Sequence, residues 1–198
     1  MLIVIGGIGS QPALGAWLTA VPSPVKSPEV VLGNESDDSV AEAVYGFMDA
    51  VSKTPVRVEK DVSGFIGNRI QMAMTYEAFS LLDQGVASPE AIDRTVKAGF
   101  GFRLPLLRIF EKADHAGLDI EYEVEKYLLA ELDRGTNPKS TLEDSIEDGE
   151  LGVKVGRGIY DWGDAIPTEL YNQRDRALLS VLDTYREYEM EETPRRGV

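Results

Sequence analysis

The sequence contains no cysteine and only one histidine, His115, among its 198 residues. Without cysteine the chain has no disulfide, no thiolate metal ligand and no cysteine nucleophile. One imidazole also cannot supply a metal site that needs several histidines. These two absences exclude the commonest thiol and zinc chemistries, and we predict no metal centre.

Positive charge is scarce as well. The chain has 20 basic residues against 34 acidic ones, for a formal net charge of −14, and only eight of the basic residues are lysine. An acidic surface repels phosphate backbones and anionic lipids, so we expect neither a nucleic-acid partner nor a membrane partner. An excess of acid with little lysine is typical of proteins adapted to high salt, so the composition is halophile-like.

Targeting signals are also lacking at the start of the sequence. Residues 1–25 carry no charged side chain, so the basic segment of a secretory signal is missing. Gln11, Pro12, Pro22 and Pro24 interrupt the same stretch, which argues against a membrane span. We therefore expect a cytoplasmic protein, and 43% hydrophobic with 27% charged residues fits a globular one.

The first sixty residues have an α/β pattern. The apolar run 1–5 and the segment Glu29-Val30-Val31-Leu32 predict strands, and a third strand is predicted at 56–59. Apolar residues at helical spacing predict a helix over 37–52, with Ser36 as its N-cap. Strand, helix and strand in about thirty residues form a βαβ unit, whose two strands should be parallel.

A glycine-rich turn, Gly6-Gly7-Ile8-Gly9, follows the first strand. Glycines at this position let phosphates approach backbone amides in dinucleotide-binding proteins. Pro12 stands where the third glycine of that pattern belongs, and no strand bearing a ribose-binding acid follows. A nucleotide loop and an ordinary turn both remain open.

The chain after residue 60 is predicted to be helical. Helices are expected at about 65–82, 89–98, 106–114, 120–133, 140–149 and 167–190, with a packed loop or lid at 100–105. The helix starting near residue 65 should be buried on more than one side. We therefore predict a mainly α protein with two parts, an α/β segment at 1–60 and a helical domain at 61–198.

The segment 60–69, Lys-Asp-Val-Ser-Gly-Phe-Ile-Gly-Asn-Arg, joins the two parts. Its glycines permit a tight turn and a close approach, and Asn68 can both donate and accept hydrogen bonds. The same pattern also fits an ordinary helix entrance with an incidental polar residue. Glu29, taken alone, is better explained as a polar residue at the start of a strand.

Five motifs in a fixed order give this chain a resemblance to a known family. They are the segments 60–69, Gly85–Asp93, Gly99–Arg103, Ala116–Asp119 and Leu151–Tyr160. In this order they resemble the 3-hydroxyacyl-CoA dehydrogenase family. The resemblance implies an all-helical domain like the C-terminal domain of 6-phosphogluconate dehydrogenase, usually a homodimer interface. Residues 29–60 would be the last βαβ portion of an N-terminally truncated Rossmann fold.

The resemblance also implies a reaction. The family oxidises the 3-hydroxyl of an acyl-CoA in fatty-acid metabolism and passes hydride to NAD. A histidine accepts the hydroxyl proton, a glutamate orients that histidine, and an asparagine holds the substrate oxygen. By motif, Asn68 matches the asparagine and Glu29 matches the glutamate.

Other positions depart from the family. Counting back from Glu29 without gaps puts Trp17 at the histidine position and Ala20 at a neighbouring asparagine position. The Gly-Pro pair that the family commonly has before Phe-Glu reads Arg108-Ile109 here. We therefore expect no NAD-dependent activity from this chain alone.

Several alternatives stay open. His115 is a candidate replacement base or an ordinary residue near a helix end, and Lys154 with Arg157 is either a contact for a CoA phosphate or an exposed basic loop. At the level of function, one alternative is a non-catalytic module that dimerises or binds acyl-CoA. Another is a sister dehydrogenase acting on a different 3-hydroxy acid, such as gulonate or carnitine.

Overall fold

The computed structural model describes residues 2–5, 28–32, 38–51 and 53–191. The chain divides into two compact units, Met1–Ala73 and Met74–Val198. This division falls inside a long helix, which therefore contributes to both units. The domain boundary expected between residues 60 and 61 from the motif pattern stays a prediction.

The first unit contains a parallel sheet and a helix. Its elements are β1 (Leu2–Ile5), β2 (Glu29–Leu32), α1 (Asp38–Ala50) and β3 (Val56–Val58). The strand order is β1-β2-β3, and both pairings are parallel. Glu29 is in register with Leu2 on one side and with Val56 on the other. The expected parallel βαβ unit is confirmed.

The buried apolar residues of the first unit come from this sheet and from α1. Val30 and Val31 of the central strand are fully buried, and Val58 of β3 is 5% exposed. Ala41 and Met48 are buried from the helix side, and their spacing of two helical turns puts them on one face of α1. Burying a side chain of this kind contributes about 1.5–3 kcal/mol.

A charged group, the Arg57 cluster, lies in the same unit. The Arg57 guanidinium is 2.8 Å from Glu59, 3.3 Å from Asp38 and 4.0 Å from Glu42. Glu59 is the main cause of a raised pKa for Arg57. The cluster links the first two turns of α1 to β3, with one positive charge facing three carboxylates.

The rest of the described chain is helical. The helices are α2 (Phe65–Asp83), α3 (Pro89–Ala98), α4 (Phe100–Arg103), α5 (Ile109–Ala116), α6 (Leu118–Leu128), α7 (Ser140–Glu147) and α8 (Pro167–Glu191), with a 3₁₀ turn at Val153–Val155. The mainly α class, with a short βαβ segment before the helices, is confirmed. None of the described helices combines the length and apolar character that crossing a membrane requires.

The helix starts show which local signals were sufficient. Ser88 caps α3 by accepting a hydrogen bond from the Ala91 amide at 3.3 Å, with Pro89 in the first helical position, as the sequence predicts. The start of α7 differs, because its N-cap residue, Lys139, makes no side-chain capping hydrogen bond. The Asp83 carboxylate accepts from the Ser140 amide at 3.0 Å and from the Thr141 amide at 3.2 Å. A residue distant in sequence thus supplies the cap.

The loop predicted at 100–105 is wrong for its first four residues, because Phe100–Arg103 forms a helical turn. Gly101 allows this turn to lie against the end of α3, since a Cβ at that position would be 2.7 Å from the Val96 carbonyl oxygen. The helices predicted at 106–114 and 120–133 are shifted to 109–116 and 118–128. An extended Arg108 sets the later start of α5.

A polar group, the Asp133 cluster, ties the loop after α6 to α2. The Ser80 hydroxyl donates to Asp133 at 2.6 Å, and the Gly135 amide donates to the same carboxylate at 2.7 Å. Lys139 pairs with Asp133 and lies 4.1 Å from the centre of the Tyr76 ring. Lys139 is the main cause of a lowered pKa for Asp133, and Asp133 in turn raises the pKa of Lys139.

Apolar burial is sparse in the second unit. Ser80, at 2% exposure, is its only buried residue among those whose burial the structure describes. The expectation that α2 is buried on several sides is also wrong for the single chain, because Ile70 is 52% and Met72 is 63% exposed. The helical pattern therefore produces helices without a closed apolar core in one copy of the chain.

Candidate functional site

Glu29 connects the central strand to the start of α2. One of its carboxylate oxygens accepts a hydrogen bond from the Ile66 amide at 2.7 Å, and the other accepts from the Gly67 amide at 2.8 Å. These amides belong to the first turn of α2, where backbone N–H groups have no partner inside the helix. A negative charge at this end also interacts favourably with the helix dipole.

The turn before α2 has an unusual backbone. Gly64 has a φ of 82° and Phe65 has a φ of 49°, so two consecutive residues lie in the left-handed region. For a residue with a side chain, such as Phe65, this conformation costs about 1–2 kcal/mol. The Phe65 amide donates to the Val62 carbonyl at 3.0 Å, and Arg69 donates to the Ser63 carbonyl at 3.2 Å. These contacts define where the helix begins.

Asn68 directly follows Gly67 in the first turn of α2 and is exposed. The structure therefore brings the two predicted site residues, Glu29 and Asn68, to the same end of one helix. Within the described residues the side-chain amide of Asn68 has no hydrogen-bond partner. Its NH₂ group and its oxygen are therefore both available to a ligand. The arrangement combines a fixed carboxylate with a neutral group that can hold an oxygen atom.

Other predicted positions do not add to this group. Trp17, Ala20 and the turn at 6–9 lie outside the described residues. His115 is exposed in the last turn of α5, in the second unit. Among the described residues, no group of three or more carboxylate and imidazole side chains could hold a metal ion.

The basic loop in the second unit is partly neutralised. Arg157 is 2.9 Å from Glu150, and the Arg157 side chain is 69% exposed. Lys154 is exposed in the 3₁₀ turn. These contacts favour an exposed loop over a preformed phosphate site.

Gly67 provides the close approach that the glycines of segment 60–69 were expected to permit, but sequence reasoning did not identify Glu29 as the approaching group. A Cβ at this position would lie 2.9 Å from the Glu29 carboxylate oxygen, closer than such atoms normally approach. The contact joins residues far apart in sequence, so no local pattern reveals it. A glycine directly before the motif asparagine was its only visible signal.

A separate cleft of about 410 Å³ lies in the second unit, between α2, α3 and residues 159–160. Its walls are largely apolar and include Met74, Phe79, Leu82, Ile92, Val96 and Ile159. At one side the Tyr160 hydroxyl donates to Asp93 at 2.7 Å, and this hydrogen bond is the main reason that the pKa of Tyr160 rises to about 12. The cleft thus offers apolar contact area beside one fixed polar pair.

Known proteins resemble this chain in both sequence and fold. The chain is 29% identical over 153 residues to 5-formyl-3-hydroxy-2-methylpyridine 4-carboxylate 5-dehydrogenase of Mesorhizobium japonicum, covering 77% of this chain and 50% of that protein. It is 36% identical over 143 residues to the probable 3-hydroxybutyryl-CoA dehydrogenase of Bacillus subtilis, covering 71% of this chain and 48% of that protein. The chain spans about half the length of these relatives.

A crystal structure gives the same result. The structure of a 5-formyl-3-hydroxy-2-methylpyridine 4-carboxylic acid 5-dehydrogenase, described as an NAD⁺-dependent dismutase, matches with a TM-score of 0.78 and 27% identity. The match covers 82% of this chain and 52% of that one.

A family model identifies the helical part. Residues 64–162 match the C-terminal domain of 3-hydroxyacyl-CoA dehydrogenase, and this region begins at the turn that leads into α2. The match covers the motifs from Gly64 to Trp162 together with the helices between them. The chain belongs to the 3-hydroxyacyl-CoA dehydrogenase family.

Proposed function

We propose that this chain carries the glutamate and asparagine portion of a 3-hydroxyacyl-CoA dehydrogenase site, for NAD-dependent oxidation of a 3-hydroxyacyl-CoA to the 3-oxo product in fatty-acid metabolism. The observation that carries the proposal is the Glu29 carboxylate bonded to the amides that directly precede Asn68. The names of relatives such as the Bacillus subtilis protein support an acyl-CoA substrate.

Each residue has a defined part in the proposed reaction. The Asn68 amide donates to the substrate oxygen at C3, which stabilises the negative charge that develops as the hydroxyl loses its proton. The Glu29 carboxylate retains lone pairs beyond those used by the two amides, and it can accept from an imidazole N–H and favour the protonated imidazole. Counting back from Glu29 without gaps, the position that the family gives to the histidine is occupied by Trp17.

The described residues do not form a fitted NAD site. The glycine-rich turn after β1 is outside the described residues, and the described residue nearest the end of β3, Glu59, is paired with Arg57. We therefore propose that the purified chain alone forms no NADH. NADH produced from 3-hydroxybutyryl-CoA and NAD at a rate proportional to chain concentration would contradict this.

Substrate binding tests the proposal directly. Acetoacetyl-CoA binding, measured by titration calorimetry, should weaken about tenfold in Asn68→Ala, the effect of losing one hydrogen bond to a developing or partial charge. Gln71→Ala is the matched control, since Gln71 is an exposed amide in the same helix. Equal affinities for wild type and Asn68→Ala would exclude Asn68 from the site.

A second candidate function is oxidation of a small substrate that carries no CoA. The TM-score of 0.78 to the pyridine-carboxylate dehydrogenase favours it, as does Arg108-Ile109 in place of the Gly-Pro pair. Gulonate and carnitine are further members of this class of small hydroxy acids. Competition of each acid against acetoacetyl-CoA separates the candidates, because a small acid does not displace acetoacetyl-CoA from a CoA-specific site.

We also propose that the second unit associates with a second copy of the chain. Large apolar side chains are open to solvent there, with exposures of 85% at Phe110, 72% at Phe102 and 64% at Tyr127. Large apolar side chains exposed in this number favour a surface that is covered in an assembly. A non-catalytic module that dimerises would also expose an apolar surface. Calorimetry with acetoacetyl-CoA separates it from a substrate-binding domain, because only the latter binds the ligand.

A further inference from the structure

We infer that Gly67 is a positioning residue, which allows the Glu29 carboxylate to lie on the first turn of α2 and thereby fixes the turn that carries Asn68. The inference rests on the proposed role of Asn68. It assigns to Glu29 a second task, that of holding the helix, in addition to interacting with a proton acceptor.

Three observations meet at this point. Both oxygens of Glu29 accept from consecutive amides, at 2.7 Å from Ile66 and 2.8 Å from Gly67. A Cβ on residue 67 would lie 2.9 Å from one of those oxygens. The added Cβ would meet the end of the flexible Glu29 side chain. We therefore expect alanine at position 67 to displace the Glu29 carboxylate while the backbone stays in place.

A second glycine in the same unit provides a matched control. Gly46 lies within α1, and a Cβ there would meet nothing within 4 Å. Replacing a helical glycine by alanine favours folding about fivefold in the equilibrium constant. Gly46→Ala should show that gain alone, whereas Gly67→Ala combines it with the loss of the Glu29 contact.

The experiment compares Gly67→Ala, Glu29→Gln, the double variant and Gly46→Ala by amide NMR. In the first three, we expect the Ile66 amide to exchange with solvent about tenfold faster, since a charged hydrogen bond is lost or weakened. The Asn68 side-chain amide resonances should shift in the same direction in all three. Gly46→Ala should leave both signals unchanged.

Acetoacetyl-CoA affinity adds a readout that a purely structural role would not move. We expect about a tenfold loss in each single variant and no further loss in the double variant, because both substitutions break one contact. Wild-type Ile66 exchange in Gly67→Ala, unshifted Asn68 resonances, or additive losses in the double variant would each overturn the inference. If wild type binds no acetoacetyl-CoA, the proposed function fails, while the exchange and resonance data still decide the role of Gly67.

Discussion

The two units of the chain differ in how much each buries by itself. The first unit buries apolar side chains of its sheet and its helix, including Val30, Val31 and Met48. The second unit contains α3 to α8, the 3₁₀ turn and the last part of α2, but among its residues of described burial only the polar Ser80 is buried. Local helix signals and a closed core are therefore separate properties. A region of the chain can form helices from local signals and still need another surface to close an apolar core.

The largest expected effect is on the core of the first unit. Met48→Ala should lower the free energy of unfolding by about 3 kcal/mol, because it leaves a cavity at a 5% exposed position. Val40→Ala in the same helix, at 46% exposure, should change it by less than about 0.5 kcal/mol. Urea denaturation followed by circular dichroism measures both. Equal losses would show that the two sites are equally buried in solution.

The next effect concerns the apolar surface of the second unit. Phe110→Glu should weaken self-association about 30-fold, the consequence of losing an interface anchor of about 2 kcal/mol. Sedimentation equilibrium of wild type and variant measures this change. Phe47→Glu is the control, since Phe47 is 62% exposed on α1 in the first unit. A wild-type chain that stays monomeric at high concentration would contradict the proposed interface.

A smaller loss of folding stability is expected when the buried Ser80 hydroxyl of the second unit is removed. Ser80→Ala removes the donor to Asp133 and the acceptor for Gln84. The free energy of unfolding should fall by about 1–2 kcal/mol, the usual cost of leaving a buried partner unsatisfied. Thr95→Ala, at an exposed hydroxyl in α3, should change it by less than about 0.5 kcal/mol. Thermal unfolding of the two variants provides the comparison.

The smallest effect depends on pH. The pKa of Asp133 is lowered from 3.8, chiefly by Lys139, so its stabilisation is present above that value and is lost as pH falls. The pKa of Lys139 is raised from 10.5, so its contribution is present below that value and is lost at more alkaline pH. Asp133→Asn should therefore flatten the acid side of the stability profile. An unchanged acid limb in urea titrations at several pH values would show that the cluster does not couple to folding.

Local signals predicted much of this fold. Ser88-Pro89-Glu90 set the start of α3, and the alternation of strand and helix predicted the parallel β2 and β3 pair. Both features depend on residues close together in sequence. The helical turn at Phe100–Arg103 was missed because glycine normally disfavours helix, whereas here Gly101 provides clearance against Val96.

The candidate site was only half predictable. The motif pointed to Asn68 and the family resemblance to Glu29, and their shared helix end follows from the hydrogen bonds of Glu29 to Ile66 and Gly67. Those bonds depend on the packing of β2 against the start of α2, which no nearby residues encode. The same reason hid Asp83 as the cap of α7, because it acts across 57 residues. The features that the sequence did not predict are contacts between residues distant in sequence, not weak local preferences.

The Arg57 cluster has a consequence for the response of the first unit to dissolved salt. One guanidinium faces three carboxylates, so the group keeps a surplus of negative charge within a chain whose net charge is −14. The Debye length is about 10 Å at 0.1 M salt, so added ions weaken the longer-range repulsion more than the close contacts of Arg57. Ionic strength should accordingly favour the folded sheet and helix, with counterions supplying the positive charge that the sequence lacks.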